Sequence, residues 1–90
     1  MNKITVKNPS EEELISLQIN NWASWHCEIS RFNWEYSEEE VCYFLEGEVI
    51  VETETESVKI QSGNLVIFPK GLKCIWNVKI PVKKVYKFNC

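Results

Sequence analysis

Ninety residues with a formal net charge of −3 suffice for one small core and are too few for two. No Lys/Arg run stands out, which speaks against a nucleic-acid partner. No stretch approaches the ~18 apolar residues of a membrane-spanning helix, which speaks against a membrane partner.

Met1–Lys7 lacks the apolar core of a secretory signal. A cytoplasmic protein is expected, or one in an organelle lumen after loss of a transit peptide. The four cysteines then read as free thiols and not as a disulfide framework.

In chain order, Ile4 and Val6 alternate with polar neighbours and predict a short edge strand over 3–7. Ser10 with Glu13 is a capping box, and Glu11, Glu12 and Glu13 suit the positive end of a helix dipole. A short helix over 10–17 follows, with Leu14 and Leu17 as a narrow apolar stripe docked on the outside of the sheet. Asn20-Asn21 ends it, and Trp22-Ala23-Ser24-Trp25 reads as an aromatic loop. Trp25, Cys27 and Ile29 then alternate against His26 and Glu28, and Phe32, Trp34 and Tyr36 against Asn33 and Glu35. A strand over 40–46 closes at Gly47. The next, over 48–54, places Val49 and Val51 on one face and turns at 55–57 into Val58–Gln61.

Gly63 opens a strand that stops at Pro69, where φ is fixed and a ladder donor is lost. Gly71 completes a Pro-Lys-Gly reversal through a positive φ. On the returning strand Cys74, Trp76 and Val78 share one face by period-two alternation and are expected to point inward. After Pro81 a last strand over 82–88 carries Tyr86 and Phe88 on one face. The four lysines from Lys79 to Lys87 read as a solvated strand face. Seven or eight short strands at regular spacing with one small helix predict an all-β fold, a small antiparallel barrel or jelly roll.

Gly63, five residues, Pro69, Lys70, Gly71, two residues and Cys74 resemble the second sequence motif of the cupins, whose last position is usually His. Asn77 falls one position early. Glu40, six residues and Gly47 resemble the end of the first motif, whose His-x-His pair would fall on Trp34 and Tyr36. Trp22, Trp25, Phe32 and Trp34, with Glu40-x-Cys42-Tyr43 and Phe68-Pro69-Lys70-Gly71, further resemble small single-domain cupins related to the ureidoglycine aminohydrolase cupin domain. The resemblance implies an RmlC-like jelly roll over residues 1–90, with Glu40 and the second-motif strand facing one cavity. Metal-binding cupins hold Mn, Fe, Ni or Zn with two or three His and the Glu. His26 is the one His of this chain, so that donor set cannot be completed within it.

Glu40 and Cys42 share a strand face, and Cys74 is expected across the same cavity. Glu40 and Cys74, with Cys42, could hold one divalent transition metal such as Zn²⁺ with water in the fourth position. Otherwise no cofactor is expected, and the two cysteines fill the barrel as small apolar groups or form a redox pair. Apolar surroundings would favour the protonated form of Glu40. Trp25, Trp34, Tyr36 and Trp76 around that carboxylate make either a cage for a planar or cationic small molecule or a plug. Glu40, Tyr36 and Cys74 are the groups on offer for acid–base or nucleophilic work. Lys70 reads as a solvated turn lysine, His26 as facing away from the cavity, and Cys27 and Cys90 as incidental.

Three functions fit. The chain binds a small molecule with Glu40 as polar anchor. Or it is a metal-assisted hydrolase of a small nitrogen-rich acid, like ureidoglycine aminohydrolase. Or it is a plugged barrel that acts through a protein partner. A homodimer is expected, because small barrels gain buried area by pairing.

Overall fold

The computed structural model describes residues 3–89, without the side chain of Asn89; Cys90 lies outside them. In chain order the elements are β1 (Thr5–Lys7), α1 (Glu11–Leu17), a 3₁₀ turn (Ile19–Asn21), β2 (Ala23–Cys27), β3 (Ser30–Glu35), β4 (Glu39–Glu52), β5 (Ser57–Gln61), β6 (Leu65–Phe68) and β7 (Lys73–Asn89). Every strand pairing is antiparallel, as an all-β jelly roll requires. Among the described residues no helix is long and apolar enough to cross a membrane.

Two long strands organise the sheet. β4 and β7 pair along both of their halves, Glu39–Glu46 with Lys83–Asn89 and Glu48–Glu52 with Ile75–Ile80. The first half is flanked by β6 on β4 and β2 on β7, with β1 at the edge beyond β6. The second half is flanked by β5 on β4 and β3 on β7. The same two strands therefore run through both layers, and the core lies between the layers.

This corrects the four separate strands expected from the sequence. Gly47 and Pro81 do not end strands; they are the corner at which β4 and β7 bend together. Gly47 has φ +97, and a Cβ there would lie 2.2 Å from the Pro81 carbonyl oxygen, so only glycine admits β7 this closely. The pairing slips between Phe44 and Val49, and such a bulge reverses which parity faces inward. Glu40, Cys42 and Phe44 are buried before it, Val49 and Val51 after it.

The core consists mainly of Phe44, Val49, Val51, Ile60, Val66, Phe68, Trp76, Val78 and Val82. Outside it, α1 has both halves of its capping box. The Glu13 amide donates to Ser10 Oγ at 3.2 Å, and the Ser10 amide donates to Glu13 Oε1 at 3.4 Å. Gln18 at φ 56 ends the helix in the left-handed region. No residue of α1 is buried, and Leu17 shares an outer groove with Val41, Leu65 and Ile67.

Two local expectations shift. Trp25 lies within β2, not in a loop, and Ile29 is 67% exposed because β2 ends at Cys27 and the alternation with it. The Pro69–Gly71 turn forms as expected, with Gly71 at φ +85. Its Gly71 amide donates to the Tyr36 carbonyl at 2.6 Å, and the Tyr36 amide donates to the Leu72 carbonyl at 2.9 Å. The turn thereby clamps the end of β3 and fixes Tyr36.

Candidate functional site

The inward face of the second half of β7 carries Val82, Lys84, Tyr86 and Phe88. Lys83 and Lys84 are neighbours in an extended strand and must point to opposite faces. Lys79, Lys83 and Lys87 are exposed, but Lys84 is 5% exposed, which corrects the reading of all four as one solvated face. Lys84 lies between Trp25 of β2 and Phe44 of β4 in the ladder. Its Nζ donates to Glu40 Oε2 at 2.5 Å.

Both side chains of this pair are less than one-tenth exposed. Two charges lose most of their hydration there and need close compensation. The carboxylate supplies part of it. Five rings supply more: the centroids of Trp76 and Trp25 lie 4.9 and 5.0 Å from Nζ, and those of Tyr86, Phe44 and Phe68 lie 5.7 to 5.9 Å away. Glu40 is therefore not an isolated carboxylate in an apolar barrel, as the sequence suggested, but the anion of a caged ion pair.

Tyr36 stands beside this pair. Its ring stacks on Phe68 with centroids 4.6 Å apart and planes 7° apart. Its Oη accepts a hydrogen bond from Trp76 Nε1 at 3.2 Å. Burial first, and the Glu40 carboxylate second, push the Tyr36 hydroxyl far above the usual tyrosine range. Tyr36 thus keeps its proton at any ordinary pH. Trp76 is itself packed edge-on against Trp25 at 5.6 Å and stacked with Phe32 at 6.0 Å. It fills the depth of the barrel without closing it.

A cavity of about 210 Å³ remains above the pair. Trp25, Trp34, Tyr36, Glu40 and Trp76, all singled out in the sequence, line it together. Phe32, Lys84, Tyr86 and Phe88 also line it and were not among the candidates. Trp34 is 51% and Phe88 50% exposed, so they form its rim, while Glu40 and Lys84 lie at its buried end.

Cys42 and Cys74 do not line this cavity, contrary to expectation. Cys42 is wholly buried, with its Sγ directed at the Val66 carbonyl oxygen at 3.7 Å. Cys74 borders a different groove, with Trp34, Glu35 and Glu54, and is directly paired with Trp34 across β3 and β7. Burial pushes the Cys42 thiol up to about 12, against the opposing pull of Lys84. Burial likewise pushes Cys74 up to about 11, with Lys84 again opposing. His26 is exposed on the outer face of β2, and Lys70 is exposed in its turn, both as expected.

The donor set does not fit a divalent metal. The Glu40 oxygen that would ligate it is held by an ammonium, which occupies the position of a cation and would repel a second one. Among the described residues no group of three or more His, Cys, Asp or Glu is arranged to hold a metal ion.

A jelly roll built on two bent strands, with an aromatic cavity at one end, defines a small cupin. The chain belongs to the EutQ-like cupin domain family, which matches residues 16–86. It is similar along its length to a DUF861 family protein from Thermotoga maritima, with a TM-score of 0.95 and 42% identity over 97% of this chain and 100% of that one. The EutQ protein of Clostridium difficile shares the fold at a TM-score of 0.66 and 19% identity, over 94% of this chain and 66% of that one. A putative ethanolamine utilization protein Q from Salmonella typhimurium does so at 0.63 and 20%, over 92% and 66%. No curated protein sequence matches the chain significantly.

Proposed function

We propose that this cupin binds a small molecule in the aromatic cavity, with the Glu40–Lys84 pair as its polar anchor and Trp25, Trp34, Tyr36 and Trp76 among its walls. One observation carries this reading: an ion pair, buried at considerable desolvation cost, faces an open cavity rather than solid core. A plugged barrel acting through a protein partner would have no need of that cavity. Its volume is about 210 Å³. That is below the usual range of sites for drug-sized ligands, so a fragment-sized occupant fits.

The ureidoglycine aminohydrolase-like alternative calls for a metal to activate water or substrate. The Lys84 ammonium on Glu40, and the placing of Cys74 outside the cavity, favour metal-free binding over it. The test is a fragment screen read by melting temperature and by tryptophan fluorescence, since three of the cavity residues are tryptophans. Ligands of this site should quench fluorescence in the wild type and bind more weakly to Trp34→Ala, a rim change that leaves the core intact. Failure of every fragment to shift either signal would defeat the proposal.

A further inference from the structure

We infer that the occupant of this cavity is an uncharged, planar molecule that presents an acceptor oxygen, such as an amide or other carbonyl compound, and is neither a cation nor an anion. The inference rests on the reading of the cavity as a binding site and specifies its ligand class.

Charge decides the first half. Five rings around a carboxylate would ordinarily recognise an ammonium ion. Here that place is taken by the chain's own Lys84, whose Nζ touches Glu40 and is less than 6 Å from all five ring centroids. An incoming cation would meet a like charge in a desolvated setting. An incoming anion would meet Lys84, but it would also add a second negative charge beside Glu40. The pair sums to zero, and a neutral ligand alone keeps the buried end of the cavity neutral.

Hydrogen-bond inventory decides the second half. The Tyr36 oxygen accepts from Trp76 Nε1, and burial keeps its proton on. Among the described residues no acceptor takes that hydrogen. Lys84 has three N–H groups, and Glu40 is its one hydrogen-bond acceptor among the described residues. Tyr36, a residue 3% exposed, and the buried Lys84 ammonium therefore both retain donors with no oxygen or nitrogen acceptor among the described residues, and both residues line the cavity. The complement of unspent donors is an acceptor oxygen, and flanking aromatic faces complement a planar body.

The experiment uses three probes with one ring and one short polar substituent: benzamide, benzoate and benzylammonium. Each is titrated into the wild-type full chain at fixed ionic strength and pH 7, with tryptophan quenching and melting temperature as readouts. Benzamide should bind most tightly, and benzylammonium at least about tenfold more weakly, since like-charge juxtaposition costs several kcal/mol and 1.4 kcal/mol is tenfold. Tyr36→Phe should weaken benzamide about fivefold, as the loss of one net hydrogen bond predicts. Tighter binding of benzylammonium or benzoate than of benzamide overturns the inference. Binding of other fragments, but of none of these three, overturns it and leaves the cavity a binding site. If no fragment binds at all, the broader reading fails with it. The charge series is measured on wild-type protein, so it stands even if Tyr36→Phe does not fold.

Discussion

Removing either member of the Glu40–Lys84 pair should destabilise the fold far more than removing both. In Lys84→Met the carboxylate stays buried with no counter-charge. Loss of one partner of a buried pair costs about 3–5 kcal/mol. Both side chains are less than one-tenth exposed, so solvent screening gives no reason to discount that figure to the level of a surface pair. In Glu40→Gln the ammonium remains inside its five rings, whose attraction is worth up to about 2 kcal/mol. The loss should therefore fall at the lower end, about 3 kcal/mol, with Lys84→Met the worse of the two. The double variant replaces two charges by neutral side chains of similar volume and should return to within about 1–2 kcal/mol of wild type, because uncharged replacements of buried pairs are often tolerated. Urea titrations followed by tryptophan fluorescence would measure all four corners of the cycle. For a chain of this size about 3 kcal/mol corresponds to roughly 12–24 °C in melting temperature. If the two single losses simply add in the double variant, within about 0.5 kcal/mol, the side chains are energetically independent and the caged-pair account is wrong.

Two other perturbations test the packing directly. Cys42 is raised to about 12 and Cys74 to about 11 from an ordinary 9.0. Their thiolates therefore form in the unfolded chain before they form in the folded one. Between pH 9 and 12 the folded state holds more protons, so stability present below pH 9 is lost as the pH rises. At 1.36 kcal/mol per unit the Cys42 share is on the order of 4 kcal/mol. Urea melts across that range should show the decline, to which Tyr36 adds above its ordinary value of 10.0, and Cys42→Ala should make it shallower; an unchanged slope would mean that the Cys42 thiol does not contribute to it. Gly47→Ala should destabilise by about 3 kcal/mol or more, because its Cβ would lie 2.2 Å from the Pro81 oxygen at φ +97. Gly71→Ala, with φ +85 and nothing near its Cβ, should lose about 1–2 kcal/mol through backbone strain alone. Equal losses in chemical denaturation would contradict the corner at Gly47.

What was legible in the sequence follows from which interactions are local. The capping box of α1 and the Pro69–Gly71 turn depend on residues within three or four positions of one another, and both formed as read. Inward alternation at Cys74, Trp76 and Val78, and the shared face of Val49 and Val51, depend on one strand each and also held. The corner at Gly47 and Pro81 was missed because it belongs to two strands at once. Either residue alone reads as a strand end; only their opposition across the ladder turns them into a bend. A trace of it was nonetheless present. The inward set changes parity between Phe44 and Val49, which a continuous strand can do only through a bulge.

Lys84 was missed for a different reason. Four lysines that alternate with apolar residues near the end of the chain read as one solvated strand face. Alternation contradicts this at Lys83-Lys84, since one of two adjacent strand residues must face inward. Lys84 stands two before Tyr86 and four before Phe88, on the same face as those two aromatic rings. The chemistry of Glu40 pointed the same way: a carboxylate placed inside a barrel requires a partner, and with His26 facing outward the partner had to be a lysine or an arginine on an inward parity. The two clues, strand parity and the need of a buried anion for a cation, meet at one residue. That residue turns a presumed metal or cation site into a neutral one.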